Sequence, residues 1–401
     1  METAWLGRRS RASVATLAVS VVASCGGGAP APPPLTGAVA ITAGQGHACA
    51  LLADRTARCW GSDLSGQLGD GMPTGENWVA VTPPVTVSGL SGITAFTAGG
   101  AHSCAVIADG SAWCWGDNIW GELGIGPTPI MSTTPQSVVG LAGATDIRGA
   151  MEFTCALAGG GQVWCWGDPS SGGLGNGVFT GMAAPPAAVS GLAGAVAISV
   201  GESHACAIMA DQTVQCWGAN TTGELGDGTL SVFSTPTPVL GLSGAVSVAC
   251  GSFHTCALLD DGSVRCWGQN VDAELGNGPP SSDLATMPVP VAGLGGVTTL
   301  AAGSTHTCAL LDNGTVRCWG NAILGQSGTA TPANAFTIDV PTTVAGVAGA
   351  TSVVAGDNFT CALVTGGSVK CWGENTSGQL GDGSKPNDMN NPVPVTVVEG
   401  R

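Results

Sequence analysis

The chain has 401 residues, 65 of them glycine and 24 proline, with 44% hydrophobic and 9% charged residues and a formal charge of −16. So few charges on so apolar a chain exclude a solvated disordered polymer. An acidic balance with two lysines, Lys370 and Lys385, excludes a phosphate-reading surface, so no nucleic-acid partner is expected, and sixteen cysteines are too many for a reducing cytosol.

Residues 1–24 read as an export signal, with Arg8, Arg9 and Arg11 as a basic region before the apolar stretch Val14 to Val22. Val22-Ala23-Ser24-Cys25 follows and resembles a bacterial lipobox, which implies a lipid on Cys25 as the first mature residue. The alternative is an ordinary cleaved signal with an incidental cysteine. Without residues 1–24 the chain keeps 8 basic and 26 acidic residues, a charge of −18. No later stretch reaches the roughly 20 apolar residues of a membrane span. Residues 25–37, rich in glycine and proline, form a tether. The expected location is the bacterial envelope, at the outer membrane or cell surface, with membrane contact through the lipid alone.

From residue 38 to 398 the chain repeats. Seven Cys-Trp-Gly triplets carry Trp60, Trp115, Trp166, Trp217, Trp267, Trp319 and Trp372, and ten residues before each triplet's cysteine stands another. The pairs are Cys49 with Cys59, Cys104 with Cys114, Cys155 with Cys165, Cys206 with Cys216, Cys256 with Cys266, Cys308 with Cys318, and Cys361 with Cys371. Units of about fifty residues suit propeller blades, with repeats near 38–91, 92–142, 143–193, 194–243, 244–295, 296–348 and 349–398. Four short β-branched or apolar runs per unit, separated by glycine turns, predict four strands and an all-β, seven-bladed propeller. The loop between paired cysteines wants a left-handed third residue; glycine stands there except at Arg55 and Gln212. The short Gly-Leu-x-Gly link, as at Gly241 to Gly244, suggests a hairpin between one repeat's last strand and the next repeat's first. The longer segment after Cys-Trp-Gly would then cross between blades, and Pro392 to Val398 would join the first blade and close the ring.

The run Gly-x-x-His-x-Cys-Ala-Leu, Asp-Gly-x-Val, Trp-Gly-x-Asn, Gly-x-Leu-Gly-Asp-Gly resembles the repeats of the regulator of chromosome condensation family, in the cysteine-paired variety of bacterial exported proteins. Ala322 and Ser327 of the sixth repeat depart from it. The resemblance implies a propeller. Members of that fold family include a nuclear exchange factor for a small GTPase, a plant ultraviolet photoreceptor and a secreted inhibitor of β-lactamases.

Around a three-residue loop centred on Asp261, Cys256 and Cys266 fall directly opposite each other as a non-hydrogen-bonded pair, with Cα atoms about 4.5 Å apart. The same spacing in all seven repeats favours disulfides. The rival is zinc held by His-x-Cys and the partner cysteine, but Phe153 and Phe359 replace the histidine where both cysteines remain. The five histidines, His47, His102, His204, His254 and His306, all occupy that slot and read as blade-to-loop hydrogen-bonding residues. Cys250 stands where other repeats have Ala302 or Ala355, so a buried thiol is expected.

The seven repeat tryptophans read as packing between blades. No catalytic, phosphate-binding, metalloprotease or calcium motif is present, and neither a cofactor nor a metal is expected. Acids such as Glu224 and Asp227 recur in the turns and read as structural. The variable loops each carry one bulky residue: Trp78, Met131, Phe179, Phe233, Met287, Phe336 and Met389. These suit either a protein-binding rim or plugs between blades. Trp120 stands outside that pattern, and Trp113 and Trp164 suggest a stacking patch. The expectation is a monomeric, non-enzymatic, lipid-anchored propeller that binds a protein or cell-surface macromolecule through its loop face, with Trp78, Trp120, Phe179, Phe233 and Phe336 as candidate contacts. The alternatives are a guanine-nucleotide exchange factor, a secreted inhibitor of the β-lactamase-inhibitor type, and an enzyme with carboxylates around the central channel.

Overall fold

The computed structural model describes residues 32–72, 80–181, 183–329, 336–384 and 390–399. Cys25, Trp78 and Met389 lie outside the described residues. Among the described residues every regular element is a strand, and the strands form seven four-stranded antiparallel sheets.

Each sheet is one sequence repeat. In the first blade the strands are Ala38–Ala43, His47–Leu52, Ala57–Ser62 and Ala80–Thr86, paired in that order. The second strand is apolar on both faces because a neighbouring blade covers each face, so His-x-Cys-Ala-Leu is buried almost throughout. The first strand of each blade lines the central channel. The fourth is the outer edge, and every copy carries proline, such as Pro135, Pro236, Pro341 and Pro392. Proline lacks the N–H that another chain's strand would pair with, which blunts the seven outer edges against association.

The phase expected from the turn lengths is wrong. The segment after Cys-Trp-Gly stays within its blade: tight turns, with Gly66 N–H on Asp63 O and Gly69 N–H on Gly66 O, reverse the chain so that Val85 pairs with Cys59. Gly-Leu-x-Gly is instead the crossover. Residues 87–92 join the outer strand of one blade to the inner strand of the next, with Val87 and Leu90 buried beneath. Four strands spaced about 4.8 Å apart span about 14 Å, within reach of an extended link of that length. A short connection therefore did not require a hairpin.

Ring closure differs accordingly. Asn391–Thr396 completes the seventh blade, with Val395 opposite Cys371, and does not join the first blade. The termini are strapped instead: Leu35 N–H donates to Val397 O at 2.8 Å, Glu399 N–H donates to Pro33 O at 2.7 Å, and Pro34 bridges Val398. Leu35 is buried with Trp60, Phe359 and Val397 between the last and first blades.

Seven apolar clusters fill the seven blade interfaces, and each contains one repeat tryptophan. All seven expected cysteine pairs are disulfides, each joining the second and third strands of its blade at directly opposite positions. Cys49 is bonded to Cys59, Cys104 to Cys114, Cys155 to Cys165 and Cys206 to Cys216. Cys256 is bonded to Cys266, Cys308 to Cys318 and Cys361 to Cys371. Their Cα–Cα distances are 4.0–4.1 Å, slightly closer than the spacing expected of a facing pair. Arg55 (φ +67°) and Gln212 (φ +63°) hold the left-handed hairpin position that glycine fills elsewhere.

Candidate functional site

A rigid ring presents its loops in fixed places, and polar bonds between blades supply that rigidity. Each repeat tryptophan donates its indole N–H to a turn carbonyl of the preceding blade, as Trp115 does to Gln67 O at 2.9 Å and Trp267 to Glu224 O at 2.7 Å. Trp60 closes the circle on Gln379 O at 2.9 Å. The glycine that follows is obligatory: a Cβ on Gly268 (φ +105°) would stand 2.5 Å from Phe253 O.

The histidines bond across blades, not to a loop of their own. His254 Nε2 lies 2.8 Å from Thr307 Oγ1, which donates to Glu274 O at 3.0 Å. Since the hydroxyl proton goes to that carbonyl, the imidazole donates from Nε2. His47–Ser103, His102–Thr154, His204–Thr255 and His306–Thr360 repeat the arrangement at 2.8 Å. The two exceptions match in both partners. Where Phe153 and Phe359 replace histidine, the facing residue on the next blade is Ala205 or Ala48. Burial holds His47, His204 and His306 down to about 3 and His102 and His254 down to about 4, so all five are neutral links of the scaffold.

The Gly-x-x-His corners and the Trp-Gly turns share one end of the ring, because His47 pairs with Gly61 there. We call this the corner face; the loops joining second to third strands lie at the hairpin face. The turn acids are structural. Glu122 and Glu224 accept backbone N–H groups of Trp120 and Thr222, and desolvation pushes Glu122 up to about 7.

A group of exposed apolar side chains shares the corner face, while others, such as Val139, Val196, Leu240, Val246 and Val393, lie on links and strands away from it. Trp120 is 39% exposed, and Leu64, Ile119, Val271 and Ile323, which follow the x-Asn position of four turns, are 47–57% exposed. Met151 and Phe253 join them from the corners, both exposed. Repeat alignment carried the missed signal: an apolar residue at one fixed position of an otherwise polar turn. Of the expected contacts, Phe336 is 62% exposed and Phe179 is 42% exposed, while Phe233 packs into the cluster between the fourth and fifth blades and acts as a plug. Trp113 and Trp164 pack in different clusters and form no common patch.

The channel narrows to the corner mouth, which includes Gln45, Met151, Glu202 and Asp357. Below it lies a volume of about 380 Å³ lined by hydroxyls such as Thr42, Ser199 and Thr299, with Arg148 the one cation and no carboxylate in the wall. Arg148 pairs with Asp146 at 2.9 Å. The channel's carboxylates, Glu202 and Asp357, stand at its corner mouth and not in this wall. Cys250 is buried against Cys206 and Cys216, and burial pushes its thiol up to about 12. His204, Cys206 and Cys250 bring ligand-type atoms within 4.8 Å of one another, but the Cys206 sulfur is already bonded to Cys216, which leaves two donors where a zinc site needs more.

Solved propellers of this shape exist. The structure aligns with Prp20p of Saccharomyces cerevisiae at a TM-score of 0.75 and 22% identity, covering 88% of this chain and 86% of that one. Human WBSCR16 aligns at 0.73 and 21%, covering 85% and 94%. At such identities the likeness shows the fold. Among curated relatives, human E3 ubiquitin-protein ligase HERC2 is 32% identical over 199 residues, 48% of this chain and 4% of that protein. The human probable ligase HERC6 is 34% identical over 143 residues, 34% of this chain and 14% of that protein. The chain therefore spans a small fraction of the curated relatives it matches. The regulator of chromosome condensation (RCC1) repeat matches residues 38–67, 93–119, 195–224, 245–273, 297–326 and 350–379, and a second description of that repeat matches 109–157, 212–258 and 261–310. With these matches recurring along the ring, the chain belongs to the regulator of chromosome condensation repeat family.

Proposed function

We propose that this chain is a non-enzymatic, protein-binding scaffold that works outside the cytoplasm, held to the bacterial envelope through a lipid on Cys25, and that its corner face is the docking surface. One observation carries the docking role: exposed apolar side chains, Trp120 foremost, converge on one face of a ring whose blades are locked by disulfides and inter-blade bonds. Fixed apolar anchors lose little freedom on binding, which favours affinity. Seven disulfides support the exported setting, because such bonds persist in oxidising compartments.

The likeness to Prp20p, a protein described by its binding to Gsp1p and histones, supports protein binding as the use of this fold. Inhibition of a secreted enzyme, in the β-lactamase-inhibitor manner, is one form such binding would take. Exchange on a small GTPase is the second reading, and the disulfides weigh against it. The docking role is tested by capture on the immobilised domain, comparing wild type with Trp120→Ala and Ile119→Ser. Loss of one captured protein in both variants is the expected result, and unchanged capture refutes the docking face. Metabolic labelling with a palmitate analogue, compared with Cys25→Ala, tests the anchor.

A further inference from the structure

Among the described residues, charge on this ring is segregated. The described cations Arg55, Arg58, Arg265, Arg317 and Lys370 lie in the hairpin loops or on third strands, and Arg317 and Lys370 bond the carbonyls of Gly293 and Gly346 in the crossover links. Arg148 is in the channel and already paired with Asp146. On the corner face stand Glu152, Glu202, Asp357 and Glu374, and among the described residues none has a cationic partner; the single ion pair there is that of Arg148. Neutral donors alone serve them: Asn358 reaches Asp357 at 3.4 Å and Glu374 at 3.3 Å.

These acids are interleaved with the apolar side chains. Between the seventh and first blades a groove of about 320 Å³ is walled by Leu64 on one side and by Asp357 and Glu374 on the other, with the amides of Gln45 and Gln67 between them. It opens beside the mouth, where Glu202 and Asp357 stand. Carboxylates crowded in a partly desolvated place repel one another, and burial with Glu202 and Glu374 nearby holds Asp357 above the usual range.

We infer that the partner at the corner face is a cationic, apolar-flanked segment of another protein, one whose lysine or arginine enters the groove between the seventh and first blades while its apolar neighbours cover Leu64 and Ile119. This rests on the docking reading above and names its chemistry. A cation there relieves the repulsion among Asp357, Glu374 and Glu202, and an apolar residue beside it removes exposed side chains from water.

The test is fluorescence anisotropy with the folded domain and three labelled peptides of equal length, alternating lysine–leucine, lysine–serine and glutamate–leucine. The lysine–leucine peptide is expected to bind most tightly and to weaken as salt rises. Glu202→Gln/Asp357→Asn/Glu374→Gln, shape-preserving changes whose folding is checked by circular dichroism, should weaken it tenfold or more, about 1.4 kcal/mol. Asp109→Asn/Asp260→Asn/Asp312→Asn on the hairpin face removes as many charges and should leave binding within about twofold. Equal loss in both variants, no loss in the first, or equal binding of the lysine–serine or glutamate–leucine peptide overturns the inference. If Trp120-dependent capture persists while the lysine–leucine peptide fails to bind, the cationic assignment falls and the docking face stands. Loss of both removes the face itself.

Discussion

Replacing His254 with phenylalanine and Thr307 with alanine, singly and together, tests whether histidine and hydroxyl act as one unit. His254 is fully buried and donates across the fifth and sixth blades to Thr307 Oγ1 at 2.8 Å. Thr307→Ala leaves that imidazole N–H with no acceptor and removes one of the two donors that Glu274 O receives, the other being Trp319. An unsatisfied buried donor costs about 1–3 kcal/mol, and the lost methyl adds about 1 kcal/mol. His254→Phe presses an apolar edge on a hydroxyl that still reaches Glu274 O, which costs about 1–2 kcal/mol. The double variant recreates the Phe153–Ala205 and Phe359–Ala48 interfaces of the same ring, so most of both penalties should vanish, a coupling of about 2 kcal/mol. The assay is urea unfolding of the unreduced domain at pH 7, with amide exchange at the two blades to localise the effect. Additivity within about 0.5 kcal/mol would refute the paired-unit reasoning.

Acid should destabilise the domain. Folded histidines held down to about 3 or 4 refuse protons that the unfolded chain accepts below its value of about 6.5, so stability falls as pH drops from there, by up to about 1.4 kcal/mol per pH unit for each histidine. Six desolvated carboxyls act in the opposite direction over part of that range, Asp63 raised to about 6, Glu122 to about 7, and Asp117, Glu152, Glu274 and Asp357 raised as well. The fully buried histidines, each held down to about 3 or 4, set the net sign. A melting temperature that stays level or rises from pH 6.5 to 4.5 contradicts this, and His254→Phe/Thr307→Ala should flatten the slope. Cys256→Ala/Cys266→Ala should cost about 2–3 kcal/mol, read in urea, since the bridge closes a short loop. Thiol titration of the denatured, unreduced mature protein should find Cys250 alone if Cys25 carries lipid, and two thiols if it does not; more than two would contradict the disulfide set. Gly303→Ala, whose Cβ would meet His306 Cε1 at 2.2 Å and Gly356 O at 2.5 Å, should cost at least about 2 kcal/mol in thermal melts, against about 1 kcal/mol for Gly241→Ala, where φ is +68° and space is open.

Much of the architecture is legible without coordinates, because each repeat states its own local chemistry. Cysteines ten apart across a three-residue turn can only face each other, so register and disulfides follow from spacing. Arg55 and Gln212 follow the same logic, since the turn imposes a left-handed residue whatever its identity. The candidate site is less legible. Phe233 and Phe336 occupy similar places in their repeats, yet one plugs a blade interface and the other meets solvent, a difference set by packing between repeats.

The primary structure by itself determined the sevenfold strand pattern, the bridges and the family, since these depend on neighbours along the chain. Tertiary structure alone decided which connection crosses between blades, because a six-residue link can close a hairpin or span a four-stranded sheet. It also decided that histidine on one blade answers a hydroxyl on the next, and that acids and apolar side chains from distant repeats share one face. The first relation joins residues about fifty positions apart through the packing of adjacent blades, and the second joins the first and seventh repeats, which ring closure brings side by side.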